Sequence, residues 1–413
     1  MLLITHPTGN ANVRALLVAL EQAGELGSFQ TTVAAQASDW YVRLLSQNFR
    51  KELLRRTYDI AKFKISTLPL RELIRLVASK SHINFLTAHE TGWASVDSVY
   101  CDLDRYVAKQ LPTKFKYHQI SAVYCYEDAA FHTFKAAGKL GLKCFYDLPI
   151  AYWKTSQRLL REEAERLPKW EPTLVGSRDS PAKLQRKTEE LNLADVVICP
   201  SKFVYDSLPT TAHKTKKCIV AEFGSPEGVQ TQKPRDLTRS PLRLLFAGSM
   251  TQRKGLADLF AAVKLLNRSD VELVVIGSLL MPMEFYRAHL PDFTYEPTRP
   301  HQAVLQLMES CDVFVLPSIV EGRALVQQEA MSCGLPLIVT ANAGGEDLID
   351  EGKTGFLVPI RSPEKIAEKI AWFANNRHKL NEMSTLARQK AAQITWNNYC
   401  KKILSVVQFS GAG

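Results

Sequence analysis

The sequence lacks any run of about 18 apolar residues, so no stretch has the pattern of a membrane-spanning helix. Its beginning, MLLITHPTGN, has neither the basic segment nor the long apolar stretch of a secretory signal, and the expected location is the cytoplasm. Cysteine is sparse and dispersed: eight residues, none in a CxxC pair, four of them inside strand-like apolar stretches. That pattern argues against a zinc site or a disulfide framework and for buried thiols. With 20 glycines and 20 prolines there is too little of either for low complexity, and neither an internal repeat nor a charged tail is found. His6, His118, His132, His213 and His301 do not pair at metal-ligand spacing, and no metal is expected.

What is present is a chain of 413 residues, long enough for two domains of about 200 residues each. Its net charge is +10, and residues 41–80 hold ten Lys or Arg against three acids, which is +7 of that total. Such a stretch suits nucleic acid, an anionic membrane surface, an acidic substrate or a solvated face. No aromatic-basic recognition motif accompanies it, so nucleic acid is not expected as a partner. Apolar residues such as Leu53, Leu54, Ile60, Phe63, Ile65, Leu68, Leu70, Leu73, Ile74 and Leu76 are interleaved with the bases. Two readings stay open: a helix resting on an anionic bilayer, giving a peripheral membrane association through 41–80, and a core-packed helix with a basic outer face.

Short apolar runs alternate with amphipathic segments throughout, the pattern of an α/β chain with parallel strands. Strands are expected at 2–7, 29–34, 122–127, 143–149, 195–201 and 218–224, then at 242–248, 271–277, 312–318 and 335–341. Both halves look doubly wound. Residues 225–241, polar and with three prolines, separate them as a linker, leaving an N-terminal domain at 1–224 and a second from 242.

The most informative stretch is PSIVEGRALVQQEAMSCGLPLIVTANAGGEDLIDEGKTGFLVP, 317–359. Glu321 and Glu329 stand eight apart, with Gly322 opening a turn and Ala324 to Met331 suited to a helix. Eight helical steps span roughly 12 Å, about the reach from a donor sugar to its ribose across a diphosphate. The helix start between them offers free N–H groups and a positive dipole end for that diphosphate. A second block, FAGSMTQRKGLADL (246–259), is a strand, a loop with Gly248, Arg253, Lys254 and Gly255, and a helix. Two cations before a helix start are unfavourable without an anion to bind.

These blocks resemble the retaining glycosyltransferases of family four, strongly from about residue 190 onward. The ordered pattern of Pro317, Ser318, Glu321, Gly322, Glu329, Ala330, Met331, Cys333 to Pro336, Gly344, Gly345, Gly352, Gly355 and Leu357 to Pro359 carries the likeness. It implies a GT-B fold, two Rossmann-like doubly wound domains facing a central cleft, with a nucleotide-sugar domain at 242–390 and a C-terminal helix at 391–413 crossing back to the acceptor-binding N-terminal domain. It implies transfer of a sugar from a nucleotide diphosphate, UDP by default with GDP or ADP open, to a glycan, a lipid-linked saccharide or another hydroxyl acceptor. Arg253 and Lys254 would neutralise the leaving diphosphate in place of a metal, so no cofactor beyond the nucleotide sugar is expected. Glu321 would hold the sugar and Glu329 the ribose, with Gly248, Ser249, Gly277, Arg299, Gly322, Arg323, Ala324, Leu325 and Val326 around the donor.

The N-terminal half departs from the pattern. HPTGNANVRALLVAL (6–20) has one glycine where relatives have two, leaving Gly9 and Asn10 to approach the phosphate or acceptor. The usual acceptor-side histidine has no match in CFYDLPIAYW (144–153); Asp147 stands there as the catalytic candidate or as a turn-forming residue, beside Tyr146. His6, Tyr126 and Glu127 complete the acceptor-side candidates. Ser249 and Arg323-Ala324 replace residues commoner in relatives. A GT-B epimerase and a non-catalytic partner protein of the same fold are the alternatives.

Overall fold

The computed structural model describes residues 1–44, 46–174, 176, 178–226 and 241–409. The expected linker therefore lies almost entirely outside the described residues. Seven parallel strands form the first sheet: β1 (Leu2–Thr5), β2 (Leu26–Thr31), β3 (Ile65–Thr67), β4 (Ala122–Tyr126), β5 (Lys143–Asp147), β6 (Val196–Cys199) and β7 (Lys217–Val220). Six form the second: β8 (Leu242–Ala247), β9 (Val271–Ile276), β10 (Thr294–Glu296), β11 (Val313–Leu316), β12 (Leu337–Val339) and β13 (Gly355–Leu357). Their orders are β3-β2-β1-β4-β5-β6-β7 and β10-β9-β8-β11-β12-β13. The α/β, two-Rossmann-domain expectation holds.

Alternation along the strands explains the layers. Leu2 and Ile4 of β1 pack into one apolar cluster with Phe145, while Leu3 packs on the other face with Val123, Cys125 and Tyr146. A sheet apolar on both faces must be covered on both, and helices do so. The C-terminal helix Trp396–Phe409 supplies part of one cover, placing Tyr399, Ile403 and Val406 in the cluster of Leu2 and Ile4. Gly224 admits its start, because a Cβ there would lie 2.2 Å from the Trp396 backbone nitrogen.

The boundary between the cores is not the boundary in sequence. Trp170, on a short 3-10 segment Pro168–Thr173 of the N-terminal half, is 2% exposed within the second domain's core, with its ring 4.9 Å from Phe285 and 5.0 Å from His289. The segment 41–80 is also more deeply folded than a bilayer helix would be. Leu53, Ile60 and Leu76 are buried, and of the ten interleaved apolar residues only Phe63 and Leu70 are exposed. It forms the helices Gln47–Leu54 and Leu70–Lys80 with β3 between them, so for most of its length the core-packed reading is correct.

Each sheet reverses its winding once, between β1 and β4 and between β8 and β11. Loops leaving the carboxyl ends of those strands diverge to opposite faces and leave a crevice, the usual ligand position in open α/β sheets. The two crevices are where chemistry is expected.

Candidate active site between the two switch points

The second crevice is built by the loops after β8 and β11. Gly248 has φ +144, and a Cβ there would lie 2.8 Å from Lys254 Cδ, so the strand end must be glycine for the lysine to pass. Gly255, with φ +74, closes the turn Gln252–Lys254 against the Pro317 carbonyl, which a Cβ would meet at 2.0 Å. The turn aims both cations across the crevice at one carboxylate. Arg253 Nη1 lies 3.0 Å from Glu321 Oε1 and Lys254 Nζ 2.7 Å from Glu321 Oε2. Burial pushes the Glu321 carboxyl up, but the two cations outweigh it and hold the group below its ordinary value. The anion that the sequence argument required is thus present as a protein carboxylate.

Beside Lys254 and Glu321 lies a cavity of about 450 Å³; Arg253 is not in its wall and lines a separate cavity with Ile150, Lys187 and Val320. The former is lined by Gly248, Ser249, Lys254, Gly277, Arg299, Glu321, Arg323, Ala324, Leu325 and Val326, together with Ser278, Thr298 and Val304. The helix Leu325–Ser332 begins in its wall with no side-chain cap on its first N–H groups. Gly277 closes tightly on Gly248, whose carbonyl a Cβ would meet at 1.8 Å. Glu329 sits one helical turn further on, 3.8 Å from His301 Nδ1; burial raises its carboxyl, with His301 opposing. Arg323 differs from its expected part. Its guanidinium, with no side-chain exposure, is spent on Asp347 at 2.7 and 2.9 Å and on Gln328 at 2.9 Å, so it braces the Gly344–Gly345 loop. Gly322 touches the other domain: a Cβ would meet the Pro149 carbonyl at 1.7 Å, and Ser201 Oγ donates to the Gly322 carbonyl at 2.6 Å.

The first crevice holds a cavity of about 590 Å³ lined by Thr8 to Asn12, Arg14, Glu52, Arg55, Arg56, Tyr126, Pro149, Phe223 and Leu325. Gly9, at φ +61, passes under the Tyr58 ring, which a Cβ would meet at 2.3 Å. Leu325 lines both cavities, so they adjoin at the start of one helix.

Of the N-terminal candidates, Tyr126, Gly9 and Asn10 reach this cavity and four others do not; Gly9 and Asn10, expected to help bind the donor, line this cavity and not the second. His6 is fully buried; its Nδ1 accepts from Gly9 N–H at 2.8 Å and Thr8 N–H at 3.1 Å, fixing the loop. Burial, then the Arg14 charge, push its pKa down to about 3, so it is a neutral loop brace and not an acid-base group. Tyr146 points to the opposite face of the sheet, where its hydroxyl donates to Glu190 at 3.1 Å. Glu127 is buried against Lys187, 3.4 Å away. Asp147 is 1% exposed and accepts from Asn12 Nδ2 at 3.3 Å. It touches the cavity only through Asn12 and is a positioning residue. In the sequence Arg14 lies in the stretch 6–20 and Arg55 and Arg56 in the basic run 41–80, with nothing to connect them. No spacing signal joins positions 40 residues apart.

Among the described residues one His/Glu/Asp group has ligand atoms within 4.8 Å of one another: His89, Glu90 and Asp179. Asp179 is already paired with Lys183 at 3.0 Å and Lys187 at 3.8 Å, cations that compete with any metal.

Two parallel Rossmann-like domains with crevices meeting at one helix start define a protein of the GT-B class. Sucrose-phosphate synthase from Thermosynechococcus elongatus has this fold, with a TM-score of 0.67 at 16% identity over 100% of this chain and 99% of that one. Anabaena HepE, solved in complex with UDP, has it too, with a TM-score of 0.60 at 15% identity over 98% and 99%. Residues 230–390 match the family model of the glycosyl transferases group 1. The putative colanic acid biosynthesis glycosyltransferase WcaL of Salmonella typhimurium is 31% identical over 169 residues, 37% of this chain. The D-inositol 3-phosphate glycosyltransferase of Paenarthrobacter aurescens is 27% identical over 173 residues, 39% of this chain. The match spans 41% and 42% of the length of these two relatives.

Proposed function

We propose that the protein transfers a sugar, with retention, from a nucleoside diphosphate in the second cavity to a hydroxyl presented from the first. The observation that carries this reading is the convergence of Arg253 and Lys254 on Glu321, with Lys254 and Glu321 in the wall of a cavity at the sheet's switch point beside a helix start without a side-chain cap. UDP is the favoured carrier, since HepE binds UDP and, in a second structure, UDP-glucose.

In this reaction the bond from the sugar's anomeric carbon to the β-phosphate oxygen breaks, and Arg253 and Lys254 offset the charge that develops there without a metal. The acceptor oxygen bonds to that carbon from the same face, and its proton passes to the departing phosphate. Glu321 orients the sugar and supports positive charge at the anomeric carbon; Glu329 holds the ribose. Gly322 against Pro149 lets the domains close and exclude the water that would otherwise hydrolyse the donor. The acceptor is a glycan, a lipid-linked saccharide or another hydroxyl compound, and the exposed Trp40, Leu44 and Phe63, among basic neighbours, suit an anionic membrane surface that would carry a lipid-linked one.

Thermal shift against UDP, GDP, ADP and their sugars tests the donor site. Stabilisation by one nucleotide, lost in Lys254→Ala and Glu329→Ala, is expected; indifference to all of them would sink the transferase reading.

A further inference from the structure

We propose that the first cavity holds a phosphate group of the acceptor, gripped by Arg14 and Arg55. The proposal deepens the transferase reading and rests on it.

Three guanidinium groups line this cavity against one carboxylate, Glu52. Arg56 is already committed, at 3.0 Å to Glu52 and 2.6 Å to the buried Glu72, which also holds Arg75 at 2.6 Å. Arg55 shares the same Glu52 at 3.3 Å, while its side chain remains 76% exposed. Arg14 makes no ion pair among the described residues. Its terminal Nη2 donates to the Arg55 backbone carbonyl, and its Nε is buried without a hydrogen-bond partner. Three positive charges facing one negative leave a net excess of cation in a partly enclosed space. Arg14 is half-buried, and a guanidinium partly withdrawn from water without a carboxylate is unfavourable unless something else supplies the charge and the acceptors.

The surroundings fit an anion. The helix Ala11–Gln22 starts in the cavity wall with no acidic residue in its first turn and no side-chain cap. Its dipole adds to the same positive field. Burial and, after it, the Arg14 charge both lower the pKa of the neighbouring His6, so the positive field reaches the loop beside the cavity. A planar guanidinium with two edges suits a phosphate better than a neutral hydroxyl array. Because Leu325 lines both cavities, an acceptor filling the first would reach the donor in the second. The phosphate belongs either to a soluble sugar phosphate or to a lipid-borne one, and the chemistry is common to both.

Binding to the full chain, saturated with UDP at fixed ionic strength, tests this. The soluble arm compares glucose 6-phosphate with methyl glucoside; the lipid arm compares a polyprenyl phosphate with the polyprenol in detergent micelles. In one arm the charged ligand should bind at least tenfold tighter than its neutral partner. Arg14→Gln should cut that preference at least tenfold, as should Arg55→Gln, whose exposed position leaves the fold intact. The arm that responds names the source. Equal binding of charged and neutral ligands, or an unchanged preference in both variants, overturns the proposal. So does a preference lost in Lys254→Ala but kept in Arg14→Gln, which would put the phosphate in the donor cavity. UDP affinity measured alongside separates the failures: no UDP binding removes the donor reading, whereas normal UDP binding without phosphate preference removes only this inference.

Discussion

Glu321 has two cations within 3.0 Å, and each part of that triad has a different consequence when removed. In the proposed reaction Lys254→Met takes away charge aimed at the leaving phosphate, and a loss of about 10²–10³ in kcat is expected, the usual scale for one preorganised electrostatic group. Glu321→Gln should lower kcat while leaving UDP affinity the same or tighter, since it frees both cations; steady-state kinetics with a UDP titration separates the two. Asp147 makes a prediction in stability. Burial pushes its pKa up to about 7, above the ordinary carboxylate value near 4 that it regains on unfolding. The folded state therefore binds the proton more tightly, and the contribution is full below about pH 4 and lost as the pH rises to about 7. Asp147→Asn should gain on the parent protein by up to a few kcal/mol across that window, followed as Tm against pH; a constant difference would place the carboxylate in water. Most residues lining the second cavity were legible because two blocks, 246–259 and 317–359, each carry a turn and a helix start together. Asp147 and Tyr146 were not separable in sequence, although adjacent strand residues point to opposite faces: nothing in CFYDLP says which face meets the cleft.

Strand and helix elements follow the apolar pattern closely, and the three missed strands share one physical cause. β3, β10 and β13, all unanticipated, have three residues each and lie at sheet edges. Three residues are too few for a period of two to register, and an edge strand needs less apolar surface than a central one. β2 was expected at 29–34 but occupies Leu26–Thr31, because its start, LGS, lacks the β-branched residues that mark a strand, while Val33 beyond its end has them. The segment Pro168–Thr173 gave no signal at all, yet it carries Trp170 into the other domain's core. Trp170→Ala should cost about 3–5 kcal/mol by chemical denaturation, the usual range for emptying a buried aromatic site. It should also loosen the domains. Gln252, whose Nε2 donates to Glu163 at 2.8 Å and whose backbone N–H donates to Thr173 at 3.1 Å, joins the same seam directly to the Arg253–Lys254 turn.

At the scale of the whole molecule the charge is lopsided, and the structure divides the basic segment into two parts with different duties. Arg56, Lys64, Arg71 and Arg75 are tied to Glu72, Glu21 and Asp102 and hold the N-terminal domain together. What remains outside is a set of large apolar side chains on the same stretch of chain: Trp40 is 74% exposed, Leu44 76% and Phe63 80%. Lys62, at the base of Phe63, pairs with Asp39 beside Trp40 at 3.0 Å, so these side chains are brought near one another by an ion pair and not by sequence alone. Exposed aromatics among cations lower their free energy by entering the interfacial zone of an anionic bilayer, where rings and headgroups are both accommodated. Among the described residues no helix is long and apolar enough to cross a membrane, so any such contact is with the surface. Vesicles of phosphatidylcholine with 30% phosphatidylglycerol should therefore bind the protein in a sedimentation assay, roughly as expected for a few inserted side chains plus about 1 kcal/mol per nearby base. Trp40→Ser combined with Phe63→Ser should weaken binding at least tenfold with Tm unchanged, since neither ring packs in the core. High salt should weaken it as well, by screening the basic side chains. Binding that persists in the double variant and in high salt would mean that another surface makes the contact, and no binding at all would leave the acceptor to be delivered through solution.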